Sequence, residues 1–136
     1  MAIRFDEAVV DPCDAAFAES SCTALDALAT FEPNWDGYGA PAIRTDIIEA
    51  ARKFILALPK TLTLRPRVVP MARGNLQLEW HRGTKVLELE FEDAKTIHYL
   101  QWHPEAGIEE ESTFPVSDLA IAIDLIQWFM NGATRL

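Results

Sequence analysis

The chain has little that would place it in a membrane or in a secretory pathway. The N-terminus carries Asp6 and Glu7 where a signal peptide needs an uninterrupted apolar segment. The longest apolar stretch, residues 119–130, contains Asp124 and Gln127 and is too short to cross a bilayer. These absences predict a cytoplasmic protein with no membrane partner.

Cysteine is scarce, and its spacing suggests no metal or redox chemistry. The only two cysteines, Cys13 and Cys22, are nine residues apart and so lie on opposite sides of a single helix. No CxxC pair and no histidine-containing ligand cluster is present in the sequence. We expect structural thiols, no metal and no cofactor.

Catalytic motifs are also missing. The sequence has no Gly-x-Ser-x-Gly, no HExxH and no activated cysteine setting, and its serines and threonines fall mostly at caps and turns. The candidate acid–base groups are His81, His98, His103, Glu79 and Glu90. We predict that the protein is not an enzyme. A metal-dependent or His/Glu enzyme, with two or three of the histidines beside Glu79, stays open as an alternative.

What the chain does have is acidic charge, unevenly distributed. The net charge is −9 over 136 residues, the length of one ordinary domain. Residues 50–78 contain six basic and no acidic residues, whereas residues 79–124 contain eleven acidic and three basic residues. An acidic surface repels the phosphate backbone, so direct nucleic-acid binding is not expected, and it attracts basic proteins.

The most informative segment is residues 76–92, where apolar and polar residues alternate on either side of a short break at Arg82-Gly83-Thr84. This pattern predicts a β-hairpin with one core face and one face made largely of glutamates. The core side is Leu76, Leu78, Trp80, Leu87, Leu89 and Phe91, and the other side is Gln77, Glu79, Glu88, Glu90 and Glu92.

The whole pattern predicts an α+β fold in a single domain, residues 1–136, with residues 1–11 as a flexible N-terminus. Two N-terminal helices are expected over about 13–31 and from a cap at Thr45 to Pro59. An antiparallel meander of four to five strands follows, at about 62–71, 76–81, 85–92, 96–102 and 107–114. A last helix is capped by Ser117, runs through Met130 and is closed by Asn131-Gly132. It packs on the sheet or forms half of a homodimer contact.

Turn lengths decide the register. Arg82-Gly83 as a two-residue turn would place Leu78 opposite Leu87, Leu76 opposite Leu89 and Glu79 opposite Val86. For the next hairpin, a three-residue loop over 93–95 would put Ile97 and Tyr99 in the core and turn His98, Leu100 and Trp102 outward. A two-residue turn would do the reverse, so either register predicts outward aromatic side chains among carboxylates.

The loop after the first helix reads NWDGYGAP. Its oxygens and glycines match neither a calcium loop nor a phosphate loop. We expect Trp35 and Tyr38 to pack the corner between the helices and Asp36 to accept backbone N–H bonds in an Asx-type turn. Ligand binding by this loop is the alternative, and its residues of unknown role are Trp35, Asp36, Gly37, Tyr38 and Gly39.

The strings EPNWDGYGAP, VVP, GNLQLEWHRG, LELEF and FPVSDL span about residues 31–129. In its NWDGYGAP loop and LQLEWH strand the chain resembles a group of small uncharacterised bacterial proteins. The resemblance implies a bacterial or phage setting. It implies no activity and no functional residues.

These observations favour a non-enzymatic acidic protein–protein interaction module. An antitoxin, an immunity protein or a phage-encoded inhibitor of a host nuclease complex would each dock on a basic protein or nucleoprotein, with glutamates standing in for phosphates. The predicted partner-binding residues are Glu79, Glu88, Glu90, Glu92, Leu100, Trp102, Glu109, Glu110 and Glu111. The alternative is a dimeric secretion-chaperone-like protein that pairs through its C-terminal helix.

Overall fold

The computed structural model describes residues 16–62 and 64–131, with side chains from residue 20 onward. Three helices and five strands follow one another as α1 (Ala16–Leu28), α2 (Thr45–Ala57), β1 (Arg67–Pro70), β2 (Leu76–Arg82), β3 (Lys85–Phe91), β4 (Thr96–His103), β5 (Ile108–Pro115) and α3 (Leu119–Asn131). The α+β fold predicted from the sequence is confirmed. The predictions for residues 1–11, the start of α1, Cys13 and Gly132 lie outside the described residues.

Helix α2 follows from its apolar spacing, since every buried residue falls on one face: Ile47, Ile48, Ala51, Phe54 and Ile55. The predicted cap is wrong by one residue. Thr45 is the first helical residue, and Arg44 occupies the cap position in an extended conformation without a side-chain cap hydrogen bond. The helix ends before Pro59 because a residue preceding proline disfavours helical dihedral angles, and Leu58 is extended.

Two further expectations about the helices are corrected. Cys22 is buried in α1 and is disulfide-bonded, so it is not the free structural thiol that the spacing suggested. Helix α3 begins at Leu119, and the side chain that caps it belongs to Asp118 instead of Ser117, since Asp118 Oδ1 accepts a hydrogen bond from the backbone N–H of Ile121 at 3.4 Å.

The strands form one antiparallel sheet in the order β1-β2-β3-β4-β5, which confirms the meander. Strand β1 is shorter than predicted, because Pro66 precedes it and lacks the N–H group that a strand residue donates to its neighbour. Strand β1 forms one edge of the sheet, and the eight-residue strand β5 forms the other.

The register between β2 and β3 differs from the prediction by two residues. Leu78 lies opposite Leu89 and Glu79 lies opposite Glu88, because Gly83-Thr84 forms the turn instead of Arg82-Gly83. Gly83 has a φ of 60°, which suits the first position of the tight hairpin turns that match strand twist. A shift of two residues keeps every side chain on its face, so the alternation pattern alone could not detect it.

The register between β3 and β4 is the one predicted for a three-residue loop. Phe91 lies opposite Ile97 and Leu89 opposite Tyr99. The loop is held by Asp93, whose Oδ1 accepts the backbone N–H groups of Lys95 and Thr96, each at 2.8 Å. His98, Leu100 and Trp102 therefore share a face with Glu88 and Glu90.

One cluster of buried side chains joins all three helices to one face of the sheet. Its sheet members include Leu76, Leu78, Trp80, Leu87, Leu89, Phe91, Ile97, Tyr99 and Phe114. The rings of Phe54 in α2 and Phe91 in β3 meet edge to face, with centroids 5.4 Å apart. We call this face of the sheet the helix side and the opposite face the outer face.

Candidate functional site

The outer face is built from three rows of side chains that cross the strands. The pairing of the strands defines these rows, because residues directly opposite each other project to the same face. The first row is Val69, Gln77, Glu90, His98 and Thr113; the second is Arg67, Glu79, Glu88, Leu100 and Glu111; the third is His81, Val86, Trp102 and Glu109.

An apolar pair lies within the acidic part of this face. Leu100 and Trp102 project from the same strand two residues apart, and 38% of Trp102 is exposed. Leu100 lies between Glu88 on β3 and Glu111 on β5, and Trp102 lies beside Glu109 on β5. All three described helices pack on the helix side, so none of them covers this pair.

Glu88 carries a charge that its surroundings on the outer face disfavour. Burial, and then the neighbouring charge of Glu79, raise the pKa of Glu88 above its ordinary value. Within residues 16–62 and 64–131, no hydrogen bond or ion pair joins the Glu88 carboxylate, whereas Glu79 Oε2 accepts a hydrogen bond from Gln77 Nε2 at 2.6 Å. Like charges directly opposite each other in a sheet repel, so this pair is held against its electrostatic preference.

The carboxylates toward β1 are partly neutralised by the chain itself. Glu90 Oε2 lies 2.7 Å from Arg73 Nη2 and accepts a hydrogen bond from Asn75 Nδ2 at 2.9 Å. Arg67 lies directly opposite Glu79. The unbalanced acidic charge is therefore concentrated toward β3 and β5 and not spread over the whole face. Sequence reasoning missed this contribution of the turn before β2.

The predicted partner-binding residues divide between the two faces. Seven of them share the outer face, namely Glu79, Glu88, Glu90, Leu100, Trp102, Glu109 and Glu111. Glu92 is exposed just beyond the end of β3. Glu110 does not belong with them, because consecutive strand residues alternate between faces. Glu110 pairs with Gln101 on the helix side and accepts a hydrogen bond from the Tyr99 hydroxyl at 3.1 Å.

Among the residues that the structure describes, one group of possible metal ligands comes together. Glu79, His81 and Glu88 each offer a donor atom, and these atoms lie within 4.8 Å of one another. Carboxylate oxygen and imidazole nitrogen are ligands that zinc accepts. The other two histidines are not part of this group. His98 Nε2 lies 3.1 Å from Glu111 Oε1, and His103 Nε2 lies 3.8 Å from Glu105 Oε1.

Glu90 and His98, two of the candidate acid–base residues, lie directly opposite each other, but each has another charged neighbour. Glu90 is bound by Arg73, and His98 faces Glu111. Each side chain is therefore held by a partner outside the pair.

The loop over residues 34–41 is organised by its own polar groups. Asp36 Oδ1 accepts the backbone N–H groups of Tyr38 at 2.8 Å and Ala40 at 3.1 Å, which confirms the Asx-type turn and lowers the pKa of Asp36. Trp35 packs against Phe31, with ring centroids 5.2 Å apart. The expectation for Tyr38 is wrong, because 93% of it is exposed while Gly37 and Gly39 take positive φ angles and turn the chain outward.

No helix in the described part of the chain is both long and apolar enough to cross a membrane. Comparisons with protein-family models, with curated protein sequences and with solved structures find no match to this chain.

Proposed function

We propose that this protein is a non-enzymatic interaction module that uses its outer face to bind a basic surface of another protein. The observation that carries this proposal is the apolar pair Leu100 and Trp102, set among Glu88, Glu109 and Glu111 on a face that the described helices leave open. An exposed tryptophan surrounded by charge has the composition of an interface hot spot with a polar rim.

The two kinds of side chain have different roles in this proposal. The carboxylates attract a basic partner over a distance and orient it, whereas burial of Trp102 and Leu100 supplies most of the affinity once the surfaces meet. The charge of Glu88 also favours a cationic partner, because a guanidinium or ammonium group would relieve its repulsion with Glu79.

An antitoxin, an immunity protein or a phage inhibitor of a nuclease complex fits this chemistry. In each case the partner's basic surface normally binds nucleic acid, and the glutamates take the place of phosphates. The bacterial or phage setting comes from the resemblance of the NWDGYGAP loop and the LQLEWH strand.

A cytoplasmic location belongs to the same proposal. The disulfide at Cys22 argues against a cytoplasmic location, because disulfides are rare in the cytosol. Thiol titration of protein taken directly from the cytoplasm tests the location. Cytoplasmic protein with Cys22 reduced and an intact fold agrees with it, whereas a fold that is lost on reduction contradicts it.

The experiment compares two charge reversals on adjacent residues of β5. Glu111→Lys places a positive charge on the outer face beside Leu100, and Glu110→Lys makes the same charge change on the helix side. The partner is first captured from the organism that encodes the protein and purified, and binding to each variant is then measured by titration calorimetry. We expect Glu111→Lys to weaken binding at least about tenfold, the effect of roughly 1.4 kcal/mol, and Glu110→Lys to have little effect.

Circular dichroism of both variants controls for folding. The salt dependence gives the second readout, since binding by opposite charges weakens as salt is added. Equal loss of binding in the two variants, or an affinity that is the same at low and high salt, contradicts the proposal.

A second candidate function rests on the ligand group Glu79, His81 and Glu88, whose donor atoms are close enough to converge on one ion. In that case the protein is a metal-dependent enzyme or a metal-binding protein. Elemental analysis of the purified protein decides between the two candidates. Stoichiometric zinc that disappears in the His81→Ala variant supports the metal site, and metal-free protein that binds its partner rejects it.

A further inference from the structure

A second site lies at the end of the sheet where β1 begins and β2 ends. A pocket of about 320 Å³ opens there, and three arginines from different parts of the chain line it. Arg65 precedes β1, Arg67 is the first residue of β1, and Arg82 is the last residue of β2. Helix α3 closes one side of the pocket with the ring of Phe129.

The arginines leave this pocket positively charged in a strongly acidic protein. No ion pair within the described ranges joins Arg65, Arg67 or Arg82 to a carboxylate, although the net charge of the chain is −9. Glu79 is the one carboxylate in the lining that the structure describes, so three guanidinium groups leave an excess of two positive charges. Three guanidinium groups that the described chain leaves without an ion-pair partner, with one carboxylate among them, make this pocket a candidate site for an anion.

The deeper wall of the pocket is apolar and fixed. Leu64, Trp80 and Phe129 contribute to it, and both aromatic side chains are buried. Trp80 Nε1 donates a hydrogen bond to the Leu64 carbonyl at 3.0 Å, which holds the indole ring in place. The Arg82 guanidinium lies over the Phe129 ring, 5.2 Å from its centroid, and is therefore positioned before any ligand arrives.

We propose that this pocket binds a small organic anion, with an aromatic or other flat apolar body against the inner wall and a carboxylate or phosphate group held by the arginines. Guanidinium groups recognise both anions through paired hydrogen bonds. The volume is at the lower end of the range for small-molecule sites and accommodates a single ring with its charged group. Glu79 and His81 of the outer face also line the pocket, but the inference does not depend on the proposed partner-binding role, because the arginines are the groups that hold the anion.

The test is an NMR titration of the full chain with phenyl phosphate, compared with inorganic phosphate and with phenol. We expect phenyl phosphate to shift the Trp80 indole N–H resonance saturably, with a dissociation constant in the millimolar range, and to bind more tightly than either of its halves. If phenol binds as tightly as phenyl phosphate, the arginines do not hold the charged group and the proposal is overturned. If inorganic phosphate binds as tightly as phenyl phosphate, the apolar wall does not contribute and the proposal is likewise overturned.

The second measurement uses the double variant Arg65→Gln, Arg67→Gln. Both arginines are exposed, so we expect this variant to fold. Phenyl phosphate binding should weaken at least about tenfold in this variant, because charge-assisted hydrogen bonds are lost. The matched control is Arg44→Gln, which changes an exposed arginine already paired with Asp46. An unsaturable shift in the wild type, or equal weakening in the control, overturns the proposal.

Discussion

Glu88 is a carboxylate of the outer face whose charge reduces the stability of the fold. The carboxylate is half-buried and directly opposite Glu79, and both facts disfavour its charged form. The raised pKa means that the folded protein holds this proton more tightly than the unfolded chain does. Stability at this site is therefore greatest when the group is protonated and falls as the pH rises through the folded-state pKa.

The Glu88→Gln variant should consequently be more stable than the wild type at neutral pH. Removing one charge of a like-charged cross-strand pair should raise the free energy of unfolding by about 0.5 kcal/mol. Urea unfolding at neutral pH and at about pH 3, where carboxyl groups are protonated, measures the difference. The gain should disappear at the acidic pH.

The matched control is Glu109→Gln, which removes a charge from an exposed residue of the same face. This change should leave the free energy of unfolding nearly unaltered, since isolated surface charges contribute little. A gain that persists at about pH 3, or an equal gain in Glu109→Gln, would show that repulsion of Glu88 by Glu79 is not the cause.

Lys85 is a buried lysine, and the alternation of β3 predicts the side of the sheet on which it lies. The alternation that puts Leu87 and Leu89 in the core also puts Lys85 on the helix side. Only 4% of Lys85 is exposed, and its Nζ donates to the carbonyl oxygens of Trp128 and Phe129 at 2.7 and 3.1 Å. Lysine is rarely buried in proteins, so the strand period alone does not predict this contact, which joins β3 to the C-terminal turn of α3.

Replacing Lys85 by Met should loosen the contact between β3 and α3. The change keeps the length of the side chain but removes donors to two backbone carbonyls and a cation near a helix C-terminus. We expect a loss of about 2 kcal/mol in the free energy of unfolding. Urea denaturation measures this loss, and Lys95→Met, on an exposed lysine, is the control. Equal stability of Lys85→Met and the wild type would contradict the role of this contact.

The elements differ in how far periodicity could predict them. The helical and strand periods located α2 and the inner strands closely, because these elements bury one face each. Periodicity could not predict the register in which β2 pairs with β3. Two registers kept the same residues in the core, and the turn at Gly83-Thr84 decided between them. That choice placed Glu79 opposite Glu88 and created the ligand group with His81.

For the whole molecule, the sequence predicted the layers but not the balance of charge. The amphipathic helices and the alternating strands required one buried layer between them, which the structure confirms. The pairing of Arg73 and Asn75 with Glu90 depends on where the turn before β2 folds back, and no periodic pattern specifies that. The three arginines of the pocket likewise come from separate segments and meet only through the sheet.

We predict the oligomeric state from the burial of the apolar residues of α3. Most of them are buried against the rest of the molecule, and Ile121 is the one large apolar side chain of the helix that is exposed. So little apolar surface does not support a stable dimer face. We expect a monomer by analytical ultracentrifugation over a wide range of concentrations. A tight dimer that Ile121→Lys dissociates would contradict this and support the chaperone-like alternative.

Strand β5 is a long edge strand of the sheet and carries Glu109, Glu110 and Glu111 in succession. Two such edges cannot pair without bringing six carboxylates together, and this repulsion opposes edge-to-edge association of the protein into fibrils. Salt screens repulsion between exposed charges, so this protection weakens as the ionic strength rises, and the concentrated protein should be kept at low salt.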